Sequence, residues 1–226
     1  MSAEGPTERI VAIDGPSGSG KSTVARGVAS RLGLEVLDTG AMYRALTLCV
    51  LDRKVDPSDG PECARVAGEM MLEVGLKTLL HGRDVSNAIR GPEVTAAVST
   101  VSAHPGVRKV LVSRQRAWVA AHGGGVVEGR DIGSVVFPHA RVKVFLTASD
   151  EERARRRQRD ELAADRDVAV DSVHADLARR DAIDSNRAVS PLKAAPDALV
   201  VDTTGRDVED VVTEIVSRFE AAGRSQ

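Results

Sequence analysis

The chain has 226 residues, of which 42% are hydrophobic, 28% are charged and 2% are aromatic, and its formal net charge is −2. These values predict a globular protein, either one large domain or a core with a small insert. They argue against nucleic acid as a partner, since proteins that bind it carry a basic excess. No apolar run approaches the roughly 20 residues that cross a bilayer, and the first residues lack a signal-peptide pattern. We therefore expect a cytoplasmic protein with no membrane partner.

The beginning of the chain predicts alternating strands and helices. A short buried strand over residues 9–14 leads into glycines and then into a helix over Lys21–Leu32, which Gly33 ends. A second strand over 35–38 and a second helix over 41–51 follow. Strands that alternate with helices in this way are typical of a parallel α/β sheet.

A different organisation follows a cluster of charged and turn-forming residues. A helix is predicted over 61–72. Short alternating stretches over 77–89, with Gly82 and Asn87 as turn residues, predict small antiparallel strands. We interpret the segment 53–104 as an insert or subdomain.

The strand–helix alternation returns after Pro105, which can begin a new helix. The residues that share one side of this helix are Val107, Val110, Leu111, Arg114, Ala117, Trp118 and Ala121. Three more strands are predicted at 125–128, 142–146 and 198–202. The last helix carries an apolar face formed by Val208, Val211, Val212, Ile215, Val216 and Phe219. The core segments 1–52, 105–150 and 169–226 thus predict one five-stranded parallel sheet flanked by helices.

The strongest local pattern is GPSGSGKS, which fits G-x-x-x-x-G-K-[ST] between a predicted strand and a predicted helix. Glycines let successive backbone N–H groups face an anion, and the following helix adds the positive end of its dipole. Lys21 is placed to reach the terminal phosphates of a nucleoside triphosphate, and the Ser22 hydroxyl to bind Mg²⁺. The predicted ATP-binding residues are Gly15, Pro16, Ser17, Gly18, Ser19, Gly20, Lys21, Ser22 and Thr23.

Three classes of nucleotide-binding protein are weighed against this motif. A GTPase needs D-x-x-G and N-K-x-D; DTTG at 202–205 fits the first pattern, but N-K-x-D occurs nowhere. A motor-type ATPase needs a long strand that ends in an acidic pair, which we do not find. A small-molecule kinase needs a second polar pocket and a closing lid, and the chain contains candidates for both.

Candidate acceptor residues follow the predicted strands at the edge of the sheet where ligands of such folds bind. Arg44 lies about one helical turn after Gly40 and can donate two parallel hydrogen bonds to a phosphate, with a solvated helix arginine as the alternative. Arg130 and Asp131 follow the third strand and reach the same edge. Adjacent side chains that leave a strand point to opposite sides, which disfavours a salt bridge between these two.

Two further groups of charged residues lie towards the C-terminus. Arg180, Asp184 and Arg187 fall on one face of a helix if it extends that far, with a surface charge ladder as the alternative. Residues 151–161 contain five arginines: Arg153, Arg155, Arg156, Arg157 and Arg159. A basic run can bind nucleic acid, but the flanking acids favour a lid whose arginines stabilise a transferring phosphoryl group.

Five separated stretches then combine into a family pattern. They are IDGPSGSGKST, LDTGAMYR, GRDVSNAIR followed by EV, GRDIGSVVFP and RRDAIDSNRAVSPL. In these motifs, and over nearly its whole length, the chain resembles the bacterial cytidylate kinases, a family of P-loop nucleoside monophosphate kinases. The resemblance implies a P-loop NTPase core, a monophosphate-binding insert with a small antiparallel sheet at 53–104, and a helical lid at 151–168. It also implies that ATP, with Mg²⁺, phosphorylates CMP and dCMP, and we expect a monomer.

The resemblance assigns roles to individual residues. Matching motifs give the acceptor phosphate to Arg44 and Arg130, with Arg187 close to it, cytosine to Ser99, Arg108 and Asp131, the ribose to Arg180 and Asp184, and further CMP contacts to Thr39 and Tyr43. The implied catalytic set is Lys21, Arg130, Arg157 and Arg187. An anionic acceptor suits the amino group of cytosine, which agrees with the role of Asp131. Two alternatives stay open: another P-loop small-molecule kinase, acting on AMP, UMP or a non-nucleotide acceptor, and a non-catalytic nucleotide-binding switch.

Overall fold

A computed structural model describes residues 9–162, 170–187 and 189–224. These residues form two units: one contains the residues up to Glu35 and those from Gly124 onward, and the other contains Val36–Gly123. Positions 163–168 of the predicted lid lie outside the described residues, as do 1–8, 169, 188 and 225–226 of the predicted core. Within the described ranges, no helix has the length and apolar character needed to cross a membrane.

The elements follow one another in this order along the chain. The strands are β1 (Ile10–Asp14), β2 (Val36–Asp38), β3 (Leu72–Val74), β4 (Thr78–Leu80), β5 (Arg83–Asp84), β6 (Gly125–Gly129), β7 (Val142–Thr147) and β8 (Leu199–Asp202). The α-helices are α1 (Lys21–Leu32), α2 (Thr39–Asp52), α3 (Gly60–Glu69), α4 (Pro92–Ala103), α5 (Pro105–His122), α6 (Asp150–Leu162), α7 (Val170–Asn186) and α8 (Val208–Arg224). A short 3-10 helix covers Ala88–Arg90 and a single π-helical turn covers Ile132–Val136.

The main sheet has five strands in the order β2-β6-β1-β7-β8, and it confirms the predicted parallel α/β core. The central strand β1 pairs in parallel with β6 on one side and β7 on the other, so that Asp14 aligns with Gly129 and with Phe145. Every residue of β1 and of β6 is buried, as expected for parallel strands covered on both faces. The segments that follow β1 and β6 therefore leave the sheet at the same edge.

Helices α1 and α8 in the first unit show how local sequence sets the helix ends and their packing. Gly33 adopts a left-handed conformation (φ 61°) and its N–H bonds the carbonyl of Ala29, which confirms the predicted end of α1. In α8, the residues buried on the predicted apolar face are Val211, Val212 and Ile215. Val208 was predicted on the same face but is exposed, because it lies at the first position of the helix.

The second unit contains β2–β5 and α2–α5, and the predicted insert 53–104 lies within it. Its small sheet is antiparallel, in the order β3-β4-β5, as the sequence predicts for 77–89. The predicted helix 61–72 is too long. The backbone becomes extended at Met70 (φ −67°, ψ 135°), and Leu72 pairs with Leu80 in the sheet.

The buried side of α5 differs from the predicted one. Val107 and Leu111 are buried as expected, but Ala117 and Ala121 are exposed. The buried stripe also includes two polar residues, Arg108 and Gln115, and Val119. Apolar periodicity cannot detect buried polar side chains. The predicted buried face is therefore rotated about the helix axis relative to the observed one.

Candidate active site

The loop between β1 and α1 is shaped to hold an anion. Gly15, Gly18 and Gly20 adopt positive φ values of 148°, 80° and 88°. A Cβ at Gly15 would lie 2.2 Å from the carbonyl oxygen of Leu146, so only glycine fits there. Gly20 precedes α1 without a side-chain cap, which leaves N–H groups of the first helical turn for a ligand.

The charged group of this loop is Lys21, the first residue of α1. Its Nζ donates to the carbonyl of Pro16 at 2.7 Å, and the Ser19 hydroxyl donates to the same carbonyl at 3.0 Å. The ammonium group thus lies over the loop from which it can reach phosphate oxygens. Thr23, also predicted to bind ATP, is exposed on α1.

A carboxylate that the sequence analysis did not assign lies next to Ser22. The Ser22 hydroxyl donates to Oε2 of Glu128 at 2.9 Å, and Glu128 is buried near the end of β6. An acidic residue within an otherwise apolar strand was the available signal. Hydroxyl and carboxylate oxygens are the hard donors that Mg²⁺ prefers. By the chemistry of their donors, these two residues fit a Mg²⁺ ion. In the described ranges, no group of three or more His, Cys, Asp or Glu could hold a metal ion.

A second unassigned carboxylate, Asp14, ends β1 immediately before the phosphate loop. One of its oxygens accepts from the N–H of Ile132 at 2.7 Å, and the other accepts from the N–H of Gly133 at 2.8 Å. Burial raises the pKa of Asp14 to about 6; the two N–H bonds and the charge of Lys21 oppose this rise, and the charge of Asp131 adds to it. Asp14 thus joins the phosphate loop to the segment that contains Asp131.

Arg130 forms its ion pair with a residue distant in sequence. Its Nε donates to Oδ2 of Asp184 at 3.0 Å, and the Arg187 guanidinium lies 3.8 Å from Oδ1 of the same carboxylate. The structure therefore brings these three predicted residues together. Helix α7 ends at Asn186, so the predicted helical face does not include Arg187. Instead, Arg187 is held beyond the helix end, where its Nε donates to the carbonyl of Ser190 at 2.5 Å.

Arg180 on α7 connects this group to the phosphate loop. It is buried, and its Nη1 lies 3.5 Å from the Ser17 hydroxyl. The pKa of Arg180 is lowered to about 10, mainly because the side chain is buried and in part because the charges of Arg130 and Arg157 lie nearby, while Asp184 opposes the change. The nearness of these arginines, rather than the pKa itself, indicates a place suited to an anion.

The five arginines of α6 have different environments. Arg153 is buried and donates to the Ser17 carbonyl at 3.1 Å and to Asp181. Arg156 donates to the hydroxyl and carbonyl of Thr203 at 2.9 and 2.8 Å. The exposed pair, Arg155 and Arg159, lies at the surface near Glu152, and Arg157 is half-buried. The first two therefore anchor α6 beside the phosphate loop, and movement of this helix as a lid stays a prediction.

The second unit contains the other predicted acceptor residues. Arg44 donates to the carbonyl of Ile89 at 3.1 Å and to the hydroxyl of Thr95 at 3.0 Å. The buried guanidinium of Arg108 lies 5.6 Å from the centre of the Tyr43 ring. Two further predicted residues, Thr39 and Ser99, are buried on α2 and α4. Thr95 is a contact that no sequence pattern indicated.

Comparisons with known proteins agree with these observations. The model of the cytidylate kinase family matches residues 11–221. The cytidylate kinase of Mycolicibacterium paratuberculosis (strain ATCC BAA-968 / K-10) is 51% identical over 211 residues, which are 91% of this chain and 92% of that protein. The cytidylate kinase of Corynebacterium glutamicum is 50% identical over 218 residues, which are 94% and 95% of the two chains.

The fold has solved counterparts as well. An uncharacterized protein from Eubacterium ventriosum ATCC 27560 matches with a TM-score of 0.50 and 13% identity, over 94% of this chain and 98% of the other. That likeness concerns the fold alone. The family model and the relatives extend over nearly the whole sequence, and with the phosphate loop and the arginine cluster they lead to one conclusion: the chain belongs to the cytidylate kinase family.

Proposed function

We propose that this protein transfers the γ-phosphoryl group of MgATP to CMP and dCMP, which yields ADP and the nucleoside diphosphate. The observation that carries the proposal is the cluster of Arg130, Arg180 and Arg187 around Asp184, beside Ser17 of the phosphate loop. Three arginines at this place, in addition to the lysine of the phosphate loop, are suited to a second phosphate group, that of an acceptor.

The phosphate loop provides the donor site of this reaction. Its backbone N–H groups and Lys21 would bind the β- and γ-phosphates. Ser22 and Glu128 would hold the Mg²⁺ of MgATP, whose charge offsets that of the phosphates. Arg157, half-buried near Arg180, is our candidate for stabilising the transferring phosphoryl group.

The acceptor does not need a catalytic base. The second pKa of a phosphate monoester is about 6, so CMP is already mostly a dianion at neutral pH. What the protein must do is bring two polyanions together and align them. Arg44, Arg130 and Arg187 would bind the acceptor phosphate and reduce the repulsion. Closure of the lid helix would exclude water as a competing acceptor.

The nucleoside of CMP would be read by neutral and charged groups that the structure buries. We assign cytosine to Asp131, Arg108 and Ser99, of which Asp131 would accept a hydrogen bond from the ring amino group. The remaining contacts, to ribose and nearby atoms, are assigned to Arg180, Asp184, Thr39 and Tyr43. A monomer that acts in the cytoplasm stays a prediction.

Replacing Glu128 with glutamine is expected to weaken Mg²⁺ use more than nucleotide binding. The amide keeps one acceptor for the Ser22 hydroxyl but loses the negative charge. Substitution of a group that supports a bound metal typically lowers metal affinity by about 10- to 100-fold. The Mg²⁺ concentration that gives the half-maximal rate should therefore rise by roughly that factor. Titration of free Mg²⁺ at fixed ATP measures it. Glu73→Gln, at an exposed position on β3, is the control, and a parent-like Mg²⁺ curve for Glu128→Gln would refute the role.

A panel of acceptors tests the proposed function directly. In a coupled assay of ADP release, CMP and dCMP should give the highest kcat/KM, above AMP, UMP and non-nucleotide acceptors such as small sugars. Preference for AMP, UMP or a non-nucleotide would reassign the protein to another small-molecule kinase. ATP binding without turnover for any acceptor would favour a nucleotide-binding switch.

A further inference from the structure

We infer that Asp14 is a positioning residue for the acceptor: its carboxylate holds the N–H groups of Ile132 and Gly133 and thereby orients Arg130 and Asp131. The inference rests on the proposed function, because it concerns how that function recognises CMP. Asp14 belongs to the strand that leads into the donor loop, yet its hydrogen bonds go to the segment assigned to the acceptor.

The register of the sheet explains why a carboxylate is needed here. Asp14 is the last residue of β1 and aligns with Gly129, the last residue of β6. Beyond this pair, β6 leaves the ladder through Arg130 and Asp131 and enters the π-helical turn at Ile132. The first N–H groups of a helical turn have no acceptor within the turn. Asp14 supplies one acceptor oxygen to each of two consecutive N–H groups, at 2.7 and 2.8 Å.

The peptide group between Asp131 and Ile132 is bonded through both its C=O and its N–H. The carbonyl of Asp131 accepts from the N–H groups of Val135 and Val136 at 2.9 and 3.2 Å. The two residues after it are held by Asp14. With this peptide group and the next N–H bonded, the backbone on the C-terminal side of Asp131 is held in place, which favours the defined direction that a base-reading carboxylate requires.

Only aspartate satisfies this arrangement among side chains of its size. Asparagine offers one carbonyl oxygen, and its NH₂ group would face the second N–H donor. Bonds to a carboxylate are also stronger than bonds to a neutral amide. The carboxylate is retained although burial raises its pKa to about 6, that is, although its charged form is destabilised at this place. A group kept at such a cost is a candidate for a functional role.

The test is the variant Asp14→Asn, assayed beside the parent. With one of the two N–H bonds lost, KM for CMP should rise by about 10-fold or more, and the preference for CMP over UMP should fall by a similar factor. KM for ATP should change by less than about 3-fold, a split that general loss of structure would not produce. Asp59→Asn is the matched control, since Asp59 is exposed and caps α3 through one N–H bond, a role that asparagine fills equally well.

Several outcomes would overturn the inference. One is a folded Asp14→Asn protein that keeps the parent's KM for CMP and its preference for CMP over UMP. Another is a rise in KM for ATP as large as the rise in KM for CMP. Should the variant not fold, hydrogen exchange of the parent's amides provides the test. The N–H groups of Ile132 and Gly133 should exchange slowly with and without CMP, and fast exchange would refute their hydrogen bonds to Asp14. A parent inactive towards CMP would overturn the proposed function together with the inference, whereas an active parent with a parent-like variant overturns the inference alone.

Discussion

Replacing Lys21 with alanine is expected to remove nearly all phosphoryl transfer while the protein stays folded. Lys21 is the cation of the phosphate loop, and its Nζ lies 2.7 Å from the Pro16 carbonyl, within the loop proposed to bind the triphosphate. Loss of one preorganised group that stabilises transition-state charge costs about 100- to 1000-fold in kcat. The fold should survive because the removed hydrogen bond ends within the loop itself. Steady-state rates with CMP and a thermal melt of the purified protein measure both quantities.

Two companion variants show whether the charge or the side-chain length is responsible. Lys21→Met keeps most of the length without the charge and should be as inactive as the alanine variant. Lys77→Ala removes an exposed lysine that pairs with Asp84 at the surface and should retain parent kinetics. A folded Lys21→Ala protein that phosphorylates CMP at the parent rate would remove Lys21 from the catalytic set.

The second large effect is expected for Asp131→Asn, which should lose discrimination between bases. Cytosine has an amino group where uracil has a carbonyl oxygen. The asparagine amide still offers one acceptor, but it adds a donor that opposes cytosine and suits uracil. A hydrogen bond to a charged group contributes about 1.5–3 kcal/mol, so the ratio of kcat/KM for CMP over UMP should fall by about 10- to 100-fold.

The change in this ratio separates base reading from stability. A loss of structure would lower both rates together, whereas loss of base reading lowers the ratio itself. Asp207→Asn, at an exposed aspartate that accepts from the N–H of Glu209, should leave the ratio unchanged. An unchanged ratio in Asp131→Asn would refute its assignment to cytosine.

Local pattern predicted the elements well where one residue type dominates the signal. Buried apolar runs identified β1 and β6, and glycine conformations set the beginning and end of α1. The errors arose where tertiary contacts decide. Leu72 pairs in a sheet although it continues an apolar helical pattern, and the buried side of α5 contains Arg108, which apolar periodicity cannot recognise.

The candidate site divides in the same way. The residues of the phosphate loop around Lys21 could be predicted because they are contiguous in the sequence. Glu128 and Asp14 were missed because their partners lie 106 and 118 residues away, and a parallel sheet brings such distant strand ends together without any sequence periodicity. The sequence identifies the arginines of α6 but not which of them is buried. Only the packing of the helix distinguishes the buried Arg153 from its more exposed neighbours.

The ion pair of Asp184 with Arg130 has a consequence for product release. The carboxylate of Asp184 partly neutralises Arg130 and lies near Arg187, so a phosphate that binds these arginines would compete with it. Such competition would lower the net gain from binding, and the carboxylate would neutralise the arginines again once the proposed diphosphate product leaves. We expect this internal counterion to limit product affinity and so to keep departure of the nucleotide from limiting the rate of each cycle.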